Sequence, residues 1–74
     1  MLKSKILKAK VTMINRYLNL LLRDRGIIYP TDIFRAVSPA MRKDVEIVDR
    51  GTVMLDDYSG MDELVFVRIC EGAA

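Results

Sequence analysis

The chain has 74 residues and a formal net charge of +2, with one cysteine and no histidine. A chain of this length has room for one small domain, which we predict over residues 1–74. An intrachain disulfide is excluded, and the usual ligands of a zinc site are missing. We therefore expect no cofactor and no metal, and we expect a second subunit to give the support that small domains commonly need.

Basic and acidic residues are separated along the chain. Residues 1–25 carry seven Lys or Arg and one Asp, a sum of +6, whereas residues 26–74 carry five Lys or Arg and nine Asp or Glu, a sum of −4. Oppositely charged halves can attract each other within a monomer, across a dimer or toward separate partners.

No apolar run reaches the roughly 18–20 residues that a membrane span requires, because Asn15, Arg16 and Asn19 interrupt the best candidate. We expect a soluble, cytoplasmic protein with no membrane partner, and a lone cysteine fits a reducing compartment. The acid-free first 22 residues also resemble a mitochondrial targeting segment, but removing them would remove the principal helix.

Residues 2–25 are predicted to form one amphipathic helix whose apolar residues fall on two neighbouring lines, at about 100° per residue. The first line has heptad spacing and is the candidate dimer seam: Leu7, Val11, Ile14, Leu18 and Leu21. The second line consists of Leu2, Ile6, Met13, Tyr17 and Leu20. Lys10 lies between them and must reach solvent. The two lines span roughly 200° where a surface helix needs about 100°, so both need a cover and a homodimer is favoured.

The remaining arc of this helix is polar and basic, and consists of Lys5, Lys8, Thr12, Asn15, Arg16, Asn19 and Arg23. Four of these residues form the candidate basic binding face, because phosphate contacts use Lys and Arg on one face: Lys5, Lys8, Arg16 and Arg23. The arc lacks the aromatic residues that single-strand binders use. A solvated face, or one that docks on the acidic half of the chain, is the competing interpretation.

The residues at the end of this helix favour termination there, whereas those at its start cap it poorly. Arg23 and Arg25 suit the negative pole of its dipole, and Gly26 can adopt the left-handed conformation that terminates helices. Ser4 is the candidate N-cap, but the lysines beside it are unfavourable at the positive pole.

A connector over residues 26–30 is expected to place its apolar side chains on the core. Thr31 is the predicted N-cap of a short helix over residues 32–37. The apolar face of this helix consists of Ile33, Phe34 and Val37. A Ser-Pro pair then predicts a further helical turn over residues 38–43.

Strand signals fill the remaining third of the chain. Residues 44–50 are predicted as a strand that forms a hairpin with residues 52–56, and a helical continuation of 44–50 is the alternative. Residues 64–70 are the clearest strand. Its two predicted faces are Leu64, Phe66, Arg68 and Cys70 on one side, and Val65, Val67 and Ile69 on the other.

The sequence carries no Gly-rich phosphate loop, no nucleophile elbow and no histidine for proton transfer near neutral pH. An acidic cluster could offer oxygen ligands to Mg²⁺ or Ca²⁺, but its spacing matches no EF-hand loop and a solvated loop is the better interpretation: Asp56, Asp57, Asp62 and Glu63. Cys70 is expected to be a small core residue rather than a nucleophile.

The sequence thus predicts an α+β fold in which a long N-terminal helix and one or two short helical turns pack on a small antiparallel sheet of two or three strands. The expected function is that of a non-enzymatic interaction protein, an adaptor or regulator, acting as a homodimer with a protein partner. A nucleic-acid-binding regulator is the alternative, and a carboxylate-based enzyme is a distant third.

Overall fold

The structure is a computed structural model that describes residues 2–48, 50–58 and 63–70, with side chains from Lys5 onward. It confirms the α+β class. In chain order the described elements are helix α1 (Leu2–Arg25), strand β1 (Ile27–Ile28), helix α2 (Pro30–Ala36), strand β2 (Val45–Ile47), strand β3 (Val53–Met54), a 3-10 helix (Leu55–Tyr58) and strand β4 (Val67–Ile69). Neither described α-helix combines the length and the apolar character that a membrane span needs.

Helix α1 ends as the sequence predicts. Gly26 has a φ of +85°, and its N–H donates to the carbonyl oxygen of Leu22 at 2.6 Å. This left-handed residue stops the helix and directs the chain into β1. The helix begins at Leu2 as predicted, but the candidate N-cap is wrong, since Ser4 lies inside the helix.

Helix α2 begins two residues earlier than predicted. Its N-cap is Tyr29, not Thr31, because Pro30 has the fixed φ that suits the first helical position. The N–H of Tyr29 donates to Oδ2 of Asp32 at 2.7 Å, and the N–H of Asp32 donates to the carbonyl oxygen of Tyr29 at 2.9 Å. Ile33 is fully buried on the inner side of this helix.

The predicted turn over residues 38–43 is not an α-helical turn. The N–H of Met41 donates to the carbonyl oxygen of Ser38 at 3.0 Å, and the N–H of Asp44 donates to that of Met41 at 2.8 Å. Both bonds span three residues, so the segment is a series of tight turns that delivers the chain to β2.

The described strands form two separate two-stranded antiparallel sheets, β1 with β3 and β2 with β4. Val45 pairs with Ile69 in one sheet, and Ile28 pairs with Val53 in the other. Residues 45–47 are therefore a strand rather than a helix, but the predicted hairpin between 44–50 and 52–56 is wrong. The apolar connector after α1 instead forms β1, which pairs with β3. Of the predicted hairpin turn, Asp49 lies outside the described residues.

The core lies between α1 and the strands and turns that cross its inner face. Its buried apolar members are Val11, Leu18, Leu22, Ile28, Ile33, Val37, Met41, Val45, Val53, Phe66 and Val67. Leu18, Ile28, Ile33 and Val67 have no measurable exposure. One face of α1 thus supplies the core of a single chain.

Candidate interaction surface on the long helix

Two asparagine side chains on the inner face of α1 form hydrogen bonds with the backbone of residues 64–67. The side chain of Asn15 accepts from the N–H of Phe66 at 2.8 Å and donates to the carbonyl oxygen of Val67 at 2.9 Å. The side chain of Asn19 exchanges the same pair of bonds with Leu64, both at 2.9 Å. These side-chain amides hold residues 64–67 on α1 before and at the start of β4, where Val67 also pairs with Ile47 of β2.

These contacts correct two predictions. Asn15 and Asn19 do not belong to the solvated arc of α1, since Asn19 is only 6% exposed. The strand predicted over 64–70 is shortened to Val67–Ile69, and its strict alternation fails because Phe66 and Val67 are both buried. The i, i+4 spacing of the two asparagines beside the apolar seam was the sequence signal for this role.

The candidate dimer seam lies in or against the core of one subunit. Val11 and Leu18 are buried, and the other three members of the seam pack against the core while half-buried: Leu7, Ile14 and Leu21. Leu22, which was assigned to neither predicted line, is also buried. The buried face of α1 is thus centred closer to Leu22 and the two asparagines than the predicted seam is.

The second predicted line remains uncovered. Ile6 is 50% exposed, Met13 69%, Tyr17 55% and Leu20 66%. We call these four residues the outer apolar line. They fall within about 60° of helix surface at 100° per residue. The side chain of Leu2, the fifth member of the predicted line, lies outside the described ones.

Cations border the outer apolar line on both sides. The predicted basic binding face is exposed at all four of its residues: Lys5, Lys8, Arg16 and Arg23. Lys5, Arg16 and Arg23 share one side of the line within about 20° of each other. Lys10 is exposed on the other side. Asp24, near the end of α1, is the only acidic residue of the helix.

A cleft of about 430 Å³ opens between α1 and α2, at the carboxyl end of the outer apolar line. Its walls include Tyr17, Arg25, Asp32 and Arg35. The guanidinium of Arg25 pairs with the Asp32 carboxylate and lies 5.5 Å from the centre of the Tyr29 ring. Hydrogen bonds from Arg25 and from the N–H of Tyr29 lower the pKa of Asp32 below its ordinary value of 3.8.

Arg35 is the cation of this cleft that sequence analysis missed. It is exposed, and within the described residues it forms no ion pair. Its position, three residues after Asp32 on one side of α2, could be read from helix periodicity only once the orientation of α2 against α1 was known.

The remaining candidate sites from the sequence are the acidic cluster and Cys70. Asp56 and Asp57 are exposed in the 3-10 helix and Glu63 is exposed after it, while Asp62 lies outside the described residues. No three acidic or cysteine side chains of the described segments are grouped in a way that could hold a metal ion. Cys70 is a half-buried free thiol.

No family model matches the chain, and no curated protein or solved structure shows detectable similarity to it.

Proposed function

We propose that the protein is a small non-enzymatic interaction protein, an adaptor or regulator, that binds another macromolecule through the outer apolar line of α1. One observation carries this proposal: four large apolar side chains remain half or more exposed in a row on a helix whose opposite face already supplies the core. Contiguous exposed apolar surface of this kind marks interaction sites in small soluble proteins.

The free energy available from burying the outer apolar line is too small to give strong binding without the charges that border it. Fully burying one large apolar side chain contributes about 1.5–3 kcal/mol, and each member of the line has about half of this left to gain. The line therefore offers on the order of 3–6 kcal/mol, whereas association costs an estimated 4–15 kcal/mol in lost freedom. Binding strong enough to matter needs complementary charges beside the line as well.

The homodimer expected from the sequence is the competing possibility for this surface. Its proposed seam would not serve as the interface, because Val11 and Leu18 are committed to the core of one chain. A second copy would have to use the outer apolar line instead.

A pair of matched variants tests the proposal. Met13→Asp charges the outer apolar line, and Val65→Asp charges an exposed apolar residue elsewhere, which is 59% exposed. In a pull-down from cells with tagged protein, the proposal expects a defined set of proteins that is retained by wild type and by Val65→Asp and is lost by Met13→Asp. Equal recovery by both variants would contradict it.

A second candidate function is nucleic-acid binding through Lys5, Lys8, Arg16 and Arg23, favoured by the exposure of all four. Phosphate binding releases counterions, so the logarithm of affinity should fall with the logarithm of salt at about −0.9 per phosphate contacted on a duplex. Full engagement of the four residues would give a slope of about −3 to −4. Changing Lys8 and Arg16 together to Gln should reduce that slope by about 2. Absence of gel retardation at about 50 mM salt would eliminate this candidate.

A further inference from the structure

We propose that the outer apolar line binds an amphipathic helix of a different protein, one whose apolar stripe is bordered by Asp or Glu. This inference rests on the proposed function and names the chemistry of the partner. It follows from the spacing of the line, the charges that border it and the scarcity of acidic residues on α1.

The spacing of the line is that of a coiled-coil seam. Ile6, Met13 and Leu20 recur every seven residues, and Tyr17 stands four residues after Met13 and three before Leu20. A second helix matches such a seam because its own apolar residues can interdigitate with this repeat. From Ile6 to Leu20 the line is about 21 Å long at 1.5 Å per residue, which corresponds to about four turns of a partner helix.

The cations beside the outer apolar line favour a docked helix that carries acidic side chains. Lys10 lies on one side of the line, four residues after Ile6, and Arg16 lies on the other side, three residues after Met13. Their apolar stems can lie along a docked helix while their charged ends meet its flanks. Carboxylates at those flanks would be attracted, whereas Lys or Arg there would be repelled.

A second copy of α1 offers little complementary charge, because Asp24 is its one acidic residue. Residues 1–25 carry seven cations and one acid. Parallel pairing would place Lys10 against Lys10 and Asp24 against Asp24. Antiparallel pairing that stacks Met13 on the second copy's Tyr17 would bring the two Arg16 side chains together. Juxtaposed like charges suppress a wrong partner, so charge complementarity favours a different, acidic chain.

The cleft between α1 and α2 continues the same electrostatic pattern. Tyr17 belongs both to the outer apolar line and to the wall of the cleft, so the two surfaces are continuous. Arg35 lines this cleft and is exposed. An acidic side chain at the end of the docked helix would find a guanidinium there.

Designed peptides test the proposal directly. A fluorescent helical peptide of about 20 residues would carry Leu and Ile at heptad spacing with Glu at every flanking position. A second peptide would replace each Glu by Lys, and a third would scramble the Glu peptide so that its apolar stripe is lost. Titration of wild-type protein by fluorescence anisotropy should show saturable binding of the Glu peptide, with the Lys and scrambled peptides at least about tenfold weaker.

Charge exchange supplies the decisive comparison. The double variant Lys10→Glu with Arg16→Glu should reverse the preference and bind the Lys peptide better. Lys43→Glu, which changes an exposed cation on another part of the chain, should leave the preference unchanged. Circular dichroism would verify that each variant retains its helices and its Tm.

Three results would overturn the proposal. Equal binding of the Glu peptide and its scrambled form would show charge attraction without recognition of the seam. Self-association through the line would make the occupant a second copy. Binding of vesicles containing anionic lipid, with no binding of the Glu peptide, would make it a membrane surface. If Met13→Asp still lost its cellular partners in any of these cases, the proposed function would stand without this inference.

Discussion

The side chain of Asn15 and the backbone of Val67 form a closed pair of hydrogen bonds across the molecule. Nδ2 of Asn15 donates to the carbonyl oxygen of Val67 at 2.9 Å, and the N–H of Val67 donates to Oδ1 of Asn15 at 3.0 Å. An amide side chain offers both a donor and an acceptor, so it can replace the neighbouring strand that these backbone groups would otherwise need. This pair commits one face of α1 to the fold and leaves the outer apolar line on the opposite side.

Asn19 should contribute strongly to stability although it is polar. Asn19→Ala would leave the N–H and carbonyl groups of Leu64 without their present partners in a part-buried position. An unsatisfied buried polar group costs about 1–3 kcal/mol, so we expect the free energy of unfolding to fall by that amount. Urea denaturation measures it. Thr12→Ala, an exposed change on the same helix, is the control and should have little effect. A loss below about 0.5 kcal/mol for Asn19→Ala would argue against the bonding role.

The two leucines Leu18 and Leu20 should separate folding from binding. Leu18 is fully buried, and its replacement by Ala should lower the free energy of unfolding by about 2–5 kcal/mol. A chain of this size has on the order of 4–11 kcal/mol in total, so this loss is severe. Leu20 is 66% exposed, and Leu20→Ala should change stability by no more than about 0.5 kcal/mol. Similar losses in urea denaturation would contradict the assignment of the two faces.

Gly26 should resist substitution because of its backbone conformation rather than its surroundings. Its φ is +85°, and a Cβ placed there would meet no atom within 4 Å. An L-residue in the left-handed region costs about 1–2 kcal/mol, so Gly26→Ala should lower stability by about that amount. Gly26→Asn should cost less, because Asn tolerates this region better. If thermal unfolding gave both variants the Tm of wild type, the left-handed termination of α1 would be refuted.

Asp32 should make stability depend on acid pH. Its pKa is lowered first by the hydrogen bond from Arg25 and then by that from the N–H of Tyr29. A carboxyl with a lower pKa in the folded state stabilises the fold above its unfolded pKa, and this contribution is lost as the pH falls through the folded value. The stability difference between wild type and Asp32→Asn should therefore be full at neutral pH and shrink below the ordinary value of 3.8. Denaturation curves at several pH values measure it, and a difference that grows toward acid pH would contradict this cause.

The periodicity of apolar residues predicted the positions of the long helix and of most strands, but it did not predict which strands pair. The helix over residues 2–25 and its glycine stop follow from local chemistry, namely the apolar repeat and the need for a positive φ at Gly26. The strand at Val45–Ile47 follows from its β-branched residues. Strand pairing depends on the whole chain, and the buried Ile28 took β3 as its partner in place of the predicted hairpin.

The candidate site shows the same division. The outer apolar line and its basic border could be read from helix periodicity, but which of the two apolar lines would be buried could not. That choice depends on Asn15 and Asn19, whose side chains satisfy backbone groups some 50 residues away in the sequence and so rotate the buried stripe of α1 toward them. Arg35 became part of the surface only through the packing of α2 against α1.

Static light scattering coupled to size exclusion determines whether the outer apolar line is open for a different, acidic helix. At about 100 µM, well above the concentrations at which stable dimers form, we expect a monomer with a mass of 8.4 kDa. Addition of the Glu peptide should raise the mass by one peptide per chain. A dimer in the absence of peptide that Met13→Asp converts to a monomer would show that a second copy, and not a different acidic helix, covers the line.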